Sequence, residues 1–318
     1  MILPVHALRI CAIFKLCIFQ HMYKTPHYQE SLMTLDPKKW FTEVFQNEGT
    51  GFSLQIKQKC HEEQSKYQFL EIFETETFGH LMVIDGCVML TTRDNFLYHE
   101  MMSHPAMFTH PNPKNVVIIG GGDCGTLKEV LKHPSVEKVT QVDIDERVTR
   151  LSEHYFPELC SANNDPRARL LFDDGIKWMK NAKPGSVDVI IIDSTDPVGP
   201  AEGLFATDFY QDCFNALSAQ GIVVQQSESP LLHSQSIIKK VHQDMKAVGF
   251  SNTHTMPFPQ PVYPTGWWSA TMALKGGDIS SFRADAIESR KFETEYYNLG
   301  IHQGALALPE FMKKILAS

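Results

Sequence analysis

The sequence predicts an α/β fold, a doubly wound and mostly parallel sheet with a small antiparallel β-domain in front of it, and three observations carry that expectation. From Val116 onward, short apolar runs rich in β-branched residues alternate with helix-length segments, the pattern of strands buried on both faces between crossover helices. The first run, Val116 to Ile119, enters a glycine-rich turn, GGGDCG, where an open sheet of this kind lets backbone approach a ligand at a helix N-terminus. Before it, Ser53 to Thr91 reads as short alternating strands with Asp85-Gly86 between two apolar runs, a strong hairpin signal.

In chain order, residues 1–35 form an N-terminal extension. Its apolar stretch, Ala7 to Phe19, is broken by Arg9 and Lys15, too short and interrupted to span a membrane. No small-residue cleavage site comes after it in Gln20-His21-Met22-Tyr23, which disfavours a signal peptide. The expectation is a poorly ordered extension or an upstream start, with Met22 or Met33 as the natural beginning. Residues 36–110 are expected to form the β-domain and a linking helix, with strands in SLQIKQK, YQFLEIFE, FGHLMVI and CVMLT and one or two helices in Thr92 to His110. Residues 111–318 are expected to form the Rossmann-like domain. Its strands are placed at 116–119, 138–142, 168–172, 187–192 and 222–225, with helices at 126–132, 146–155, 176–180, 208–217 and 234–248, the last closed by Gly249. Asn252 to Thr255 and Trp268 to Leu274 are candidate edge strands, an arrangement that resembles the antiparallel tail of AdoMet-dependent transferase sheets.

Gly120, Gly122 and Gly125 fit G-x-G-x-x-G, a spacing shared by ordinary strand-to-helix turns and dinucleotide sites. Three strand ends narrow the choice, because each delivers a carboxylate to the edge where open α/β sheets bind ligands. KVTQV ends in Asp143 and Asp145, RLLF runs from Arg169 to Phe172 and ends in Asp173, Asp174 and Gly175, and VDVIII ends in Asp193, Ser194, Thr195, Asp196 and Pro197. A nicotinamide oxidoreductase needs the first acid and has no use for the others. An adenosine-sulfonium ligand could use all three, for ribose, adenine and the reacting centre.

GGGDCG, DDG, DSTDPVGP, YPTGWW and YYNLGIH, in this order and spacing, resemble the polyamine aminopropyltransferases, the spermidine synthase family, from about Trp40 to the C-terminus. The resemblance implies that Gln68 contacts the nucleoside substrate, Asp143 binds the ribose, Asp174-Gly175 reads the adenine with Pro200 nearby, and Asp123 takes the aminopropyl amine. Tyr98, His99 and Tyr263 would line the diamine side, and the catalytic acid falls at Asp193. Three positions depart from the family pattern: Asp143 where a Glu is usual, Cys124 where a Gly is usual and Met89 where a Gln is common.

The chemistry agrees with that assignment. When an aminopropyl group leaves a sulfonium, sulfur departs as a neutral thioether, so the reaction needs no metal, no cofactor and no oxyanion hole. It needs a free amine, and a carboxylate must take its proton and aim its lone pair. Asp193 is the candidate base, and Asp196 can hold an ammonium end of the substrate through a charge-assisted hydrogen bond of roughly 1.5–3 kcal/mol. Gln226, after the GIVV strand, is a further candidate near the amine. The alternative is that Asp193 to Pro197 only caps the next segment of chain. In a water-poor site Asp123 would repel the carboxylate of intact S-adenosylmethionine and attract the ammonium of the decarboxylated form. The reading is therefore an aminopropyltransferase acting on decarboxylated S-adenosylmethionine and putrescine. The alternatives are an N-methyltransferase of the same fold and a non-catalytic polyamine-binding protein. Cadaverine, agmatine or spermidine as acceptor stays open, since pocket depth depends on how Tyr98, His99, Gln226, Tyr263 and Trp268 pack.

A formal net charge of −8 argues against nucleic acid as a partner. Seven scattered cysteines without a C-x-x-C pair, and fourteen histidines without H-x-x-x-H or H-E-x-x-H spacing, point to a reduced, cytoplasmic setting without a metal site. The resemblance implies a homodimer or homotetramer, and no membrane partner is expected.

Overall fold

The structure, a computed structural model, describes residues 35–318 except Val198. The expectation for the first 35 residues thus falls, apart from Leu35, outside the described residues.

Five strands, β1 (Trp40–Phe45), β2 (Thr50–Gln64), β3 (Phe69–Thr75), β4 (His80–Ile84) and β5 (Cys87–Thr91), make the first sheet in sequential order. Asp85 and Gly86 both take positive φ (51° and 85°), as a two-residue hairpin turn requires. The Asp85 carboxylate ties the turn down by accepting the Phe69 N–H at 2.8 Å. Alternation along β3 sends Leu70 and Ile72 to one face and Phe73 to the other.

Helix α1 (Asn95–Thr109) comes next as a single helix that carries Pro105 in its interior. It is buried on every side from Tyr98 to Thr109, so its polar residues must find partners inside the protein.

The second sheet runs β6 (Asn115–Gly120), α2 (Gly125–Leu131), β7 (Lys138–Asp143), α3 (Glu146–Tyr155), β8 (Ala168–Phe172), α4 (Gly175–Lys180), β9 (Val187–Asp193), α5 (Thr207–Ala216) and β10 (Leu217–Gln226). The chain then passes through α6 (Pro230–His233) and a π-turn at Ser234–Ile238 into α7 (Lys239–Ala247), and closes the sheet with β11 (Asn252–Pro259) and β12 (Trp267–Leu274). Gly249, at φ +111°, stands after α7 where the cap was expected. The strand order is β11-β12-β10-β9-β6-β7-β8. The neighbours from β10 to β8 pair parallel, and β12 and β11 add antiparallel. Order reverses at β6, so the crevice beyond the C-terminal ends of β6 and β9 is where a ligand belongs. The two sheets meet through α3, whose Val148 and Leu151 pack with Phe156 and Leu159 against Leu70, Ile72, Met82 and Ile84.

Some elements go beyond the sequence expectation. β10 starts at Leu217, directly from α5, where Ser218, Gln220 and Gly221 hide any apolar pattern. β1 and the C-terminal helices α8 (Ala284–Glu288), α9 (Leu299–Ala305) and α10 (Glu310–Ala317) are too short or mixed in pattern to stand out. No described helix is long and apolar enough to cross a membrane.

Candidate active site

Asp193 closes β9 directly opposite Gly120 in the parallel register. Gly120 sits at φ +82°, and a Cβ there would lie 2.0 Å from the Asp193 carbonyl oxygen. Only glycine lets the turn pass so close. The Gly121 N–H then donates to that same oxygen at 2.7 Å, which locks the strand end and directs the side chain inward. There the Tyr98 hydroxyl donates to Asp193 Oδ1 at 2.7 Å and the Thr126 hydroxyl donates to Oδ2 at 2.6 Å. The capping alternative therefore fails for this carboxylate, since the next helical turn begins only at Gly199. Burial pushes its pKa up and the Asp123 charge adds to that, while His99 and the two hydroxyls pull the other way.

Asp123, in the glycine turn, accepts the Gly125 N–H at 2.7 Å and lies 3.2 Å from His99 Nε2. Desolvation alone would raise the Asp123 pKa, yet the imidazole beside it holds the carboxyl below its ordinary value. Burial likewise opposes charge on His99, and the Asp123 and Asp193 carboxylates override it, so the imidazole is pushed up. Tyr98, His99, Asp123 and Asp193 thus form one buried network, with the phenol of Tyr98 kept protonated by burial and by the Asp193 charge.

Asp143, at the end of β7, accepts the Asp145 N–H at 2.8 Å. Burial, with Asp145, Asp123 and Asp193 nearby, pushes it up to about 7. A Cβ on Gly122 would lie 2.9 Å from Asp143 Oδ2, so the bare glycine leaves that oxygen reachable. Gln68 donates to Asp145 Oδ2 at 3.1 Å, and Ser65 donates to the same oxygen at 2.6 Å, which brings the first sheet to the acids at the end of β7. Asp174 is exposed and caps α4 through the Ile176 and Lys177 N–H groups. Gly175 fits against Ile119, where a Cβ would lie 2.6 Å from a methyl carbon. The Pro200 side chain, and with it that assignment, lies outside the described residues.

Beyond Asp193 a narrow cavity of about 40 Å³ is lined by Glu43, Tyr98, Asp196, Gln226, Tyr263 and Trp268 among others. The Tyr263 hydroxyl donates to the Met89 carbonyl, so the Met89 position contributes its backbone where its side chain has lost the polar group. Gln226 donates to the Thr195 carbonyl at 3.3 Å and to Glu228 at 3.2 Å. Burial raises both Asp196 and Glu228, and the Asp196 charge pushes Glu228 up further. Burial also lifts Glu43 to about 7, against the Val88 N–H it accepts at 3.0 Å. His233 reaches within 3.8 Å of Glu228, but desolvation pushes its imidazole down, so it offers those acids little positive charge.

Thr126, Asp145, Ser65, Glu43 and Glu228 enter the site without having been singled out as site residues from sequence. Thr126 comes directly after the glycine turn and Glu228 sits two residues after Gln226, which are local signals. Glu43 and Ser65 arrive from another sheet and leave no trace along the chain. Among the described residues no group of three or more His, Cys, Asp and Glu side chains is arranged to hold a metal ion.

Residues 95–281 match the family profile of the spermine/spermidine synthase domain, and residues 39–92 match the spermidine synthase tetramerisation domain. The chain belongs to the spermine/spermidine synthase family. Among its relatives in that family, the polyamine aminopropyltransferase of Thioalkalivibrio sulfidiphilus is 64% identical over 284 residues, covering 89% of this chain and 99% of the relative. That of Methylococcus capsulatus is 62% identical over 276 residues, covering 87% and 96%. The fold is similar to a spermidine synthase crystal structure in complex with the transition state analogue AdoDATO, at TM-score 0.84 and 35% identity, covering 94% of this chain and 99% of that one. It is also similar to the spermidine synthase of Thermotoga maritima, at TM-score 0.83 and 36% identity, covering 92% and 99%.

Proposed function

We propose that this member of the spermine/spermidine synthase family moves the aminopropyl group of decarboxylated S-adenosylmethionine onto putrescine, giving spermidine and methylthioadenosine. The observation that carries the reading is the position of Asp193. It is a buried carboxylate gripped by Tyr98 and Thr126, with the Asp123–His99 pair on one side and a cavity lined by Asp196 and Glu43 on the other. Such a site suits a small dication next to a sulfonium nucleoside. The curated relatives act in the same reaction class by name.

In the mechanism we infer, Asp143 takes the ribose hydroxyls, Gln68 orders that end through Asp145, Asp174 with Gly175 borders the adenine, and Asp123 takes the aminopropyl ammonium. Gly120 and Gly122 let the backbone close on the donor. Asp196 and Glu228, with Gln226, Tyr263 and Glu43, take the remote ammonium of the diamine, whose charge favours the ionised form of acids that burial otherwise raises. Asp193 removes a proton from the near ammonium and aims the freed lone pair at the aminopropyl carbon bonded to sulfur. The new C–N bond forms as the C–S bond breaks, and the bonding pair leaves on sulfur as neutral methylthioadenosine. Charge balances: two dications yield one trication, one neutral thioether and one released proton. A pKa raised by burial brings Asp193 nearer the operating pH, where a general base works best.

The match of residues 39–92 to a tetramerisation domain supports assembly into a homotetramer or homodimer through the first sheet. The division into residues 36–110 and 111–318 is supported by the two separate sheets. A cytoplasmic setting is supported by Cys60, Cys87, Cys124, Cys160 and Cys213 all being free thiols.

The test incubates the protein with putrescine and, in parallel, decarboxylated or intact S-adenosylmethionine, and identifies the nucleoside released. Methylthioadenosine from the decarboxylated donor alone is expected. S-adenosylhomocysteine from the intact donor would overturn the reading in favour of methyl transfer.

A further inference from the structure

Glu100 stands next to Tyr98 and His99 on α1 and is almost fully buried. Its partners are backbone donors: Oε1 accepts the Glu295 N–H at 2.7 Å, and Oε2 accepts the Tyr296 and Tyr297 N–H groups at 2.9 and 2.7 Å. Three consecutive backbone donors thus satisfy one buried carboxylate, a concave anion site of the kind successive N–H groups form. The loop that offers them is itself braced. Thr294 Oγ1 donates to the Tyr297 carbonyl at 2.6 Å, Arg290 donates to Thr294 Oγ1 at 2.6 Å, the Tyr297 hydroxyl meets His302 Nδ1 at 2.7 Å, and Asn298 caps α9 through the Ile301 N–H. This is the YYNLGIH segment, which the reaction itself leaves without a task.

An α-helix turns about 100° per residue, so Tyr98 and Glu100 project on nearly opposite sides of α1. Tyr98 is bonded to Asp193 on one side and Glu100 to the C-terminal loop on the other, while His99 between them faces Asp123. The far end of the helix is held by the same C-terminal region: Arg283 donates to the Met107 and His110 carbonyls at 2.7 and 3.0 Å. Rotation or sliding of α1 that frees Tyr98 therefore also strains the loop contacts.

We propose that Glu100 is a positioning residue for the reaction, and that the C-terminal loop Glu295 to Tyr297 acts through it to set Tyr98 and His99 against Asp193 and Asp123. This inference rests on the reading of Asp193 as the base. Its energetic logic is that of orientation: a displacement of about 1 Å at a group that aims a reactant costs up to about 100-fold in rate.

Glu100→Gln keeps the size of the side chain but turns one acceptor into an amide N–H₂ that faces backbone donors. The expected result is a kcat lower by roughly 10- to 100-fold with the donor KM little changed. The acid limb of the kcat profile should also move to higher pH, because the Tyr98 hydrogen bond is one of the contacts that lowers the Asp193 pKa. Asp123, His99, Thr126, Asp143 and Tyr263, which also act on or feel the Asp193 charge, are left in place. Tyr98→Phe should move the limb the same way, and the double variant should be no slower than the slower single one, since both act through one contact. Multiplied losses with an unmoved limb would reduce Glu100 to a stability role and overturn the inference. If Glu100→Gln does not fold, Glu100→Asp, which keeps the charge and withdraws it by one carbon, should give a smaller shift in the same direction, and an unmoved limb there overturns the inference equally. Asp193→Asn separates the two claims. Retained turnover in that variant defeats the reading of Asp193 and with it the inference that rests on it, whereas an inactive Asp193→Asn beside a Glu100→Gln indistinguishable from wild type defeats the positioning role alone.

Discussion

The two halves of the crevice treat their carboxylates in opposite ways. Around the reacting centre every acid has a donor: Asp193 has two hydroxyls, and Asp123 has a backbone N–H and an imidazole. Beyond it, burial raises Asp196, Glu228 and Glu43, the Asp196 charge adds to the rise of the other two, and His233 is held neutral by burial. The first half is complete without substrate, as preorganised catalysis demands. In the second, burial favours the protonated acids, and a cation bound there would favour their charged form. On the proposed reading, geometry is built in at the base and frustration is left at the amine-binding acids.

The largest expected effect lies in the first half. Asp193→Asn should lower turnover by on the order of 10²–10⁴, the share of a general base, with an unchanged circular dichroism spectrum. Near-normal turnover would remove Asp193 from the role and erase the contrast.

In the second half, Asp196→Asn or Glu228→Gln should raise the putrescine KM by about 10- to 100-fold, the worth of one charge-assisted hydrogen bond, while the donor KM stays within about twofold. An equal rise in both constants would show that the halves are not separate. A third measurement addresses the protons directly. At pH 7 Glu43 is near its midpoint and Glu228 lies well above its ordinary value, so diamine binding should expel about one proton by linkage. Titration calorimetry in buffers of different ionisation enthalpy reads that number, and a value of zero would mean the acids are already ionised.

The smallest effect concerns stability. Glu43 is lifted from 4.5 to about 7, so the folded chain keeps a proton that the unfolded chain has lost between those values. Its contribution to stability is intact below about pH 4.5 and is lost as pH rises through about 7. Glu43→Gln should therefore stabilise the ligand-free protein at pH 8, by on the order of 1 kcal/mol, and do little at pH 4.5. Thermal unfolding at the two pH values checks it, and saturating putrescine should narrow the difference.

Much of the reacting centre was legible in the sequence, because its parts sit at strand ends and in one turn. Asp123, Asp143 and Asp193 come after apolar runs that can only be buried strands, and strand ends of a doubly wound sheet converge on one edge. Tyr98 and His99 needed more. The helix that carries them is buried all round, so no polar face marks which residues point at the site, and the family motif had to supply them. Glu43 and Ser65 were out of reach, since each arrives by the packing of the first sheet on α3 and on the mouth of the cavity. For the same reason YYNLGIH was visible as a motif while its partner, Glu100, was not.

Period and punctuation along the chain were enough to determine the alternating strands, the glycine turn and the three acidic strand ends, because these are local consequences of burial and of backbone conformation. Only the tertiary structure decided which acids are neutralised and which are left to repel. That distinction depends on hydroxyls, N–H groups and carboxylates brought together from positions as far apart as Tyr98 and Asp193, or Glu43 and Asp196, and a charge acquires its character from the neighbours that folding supplies.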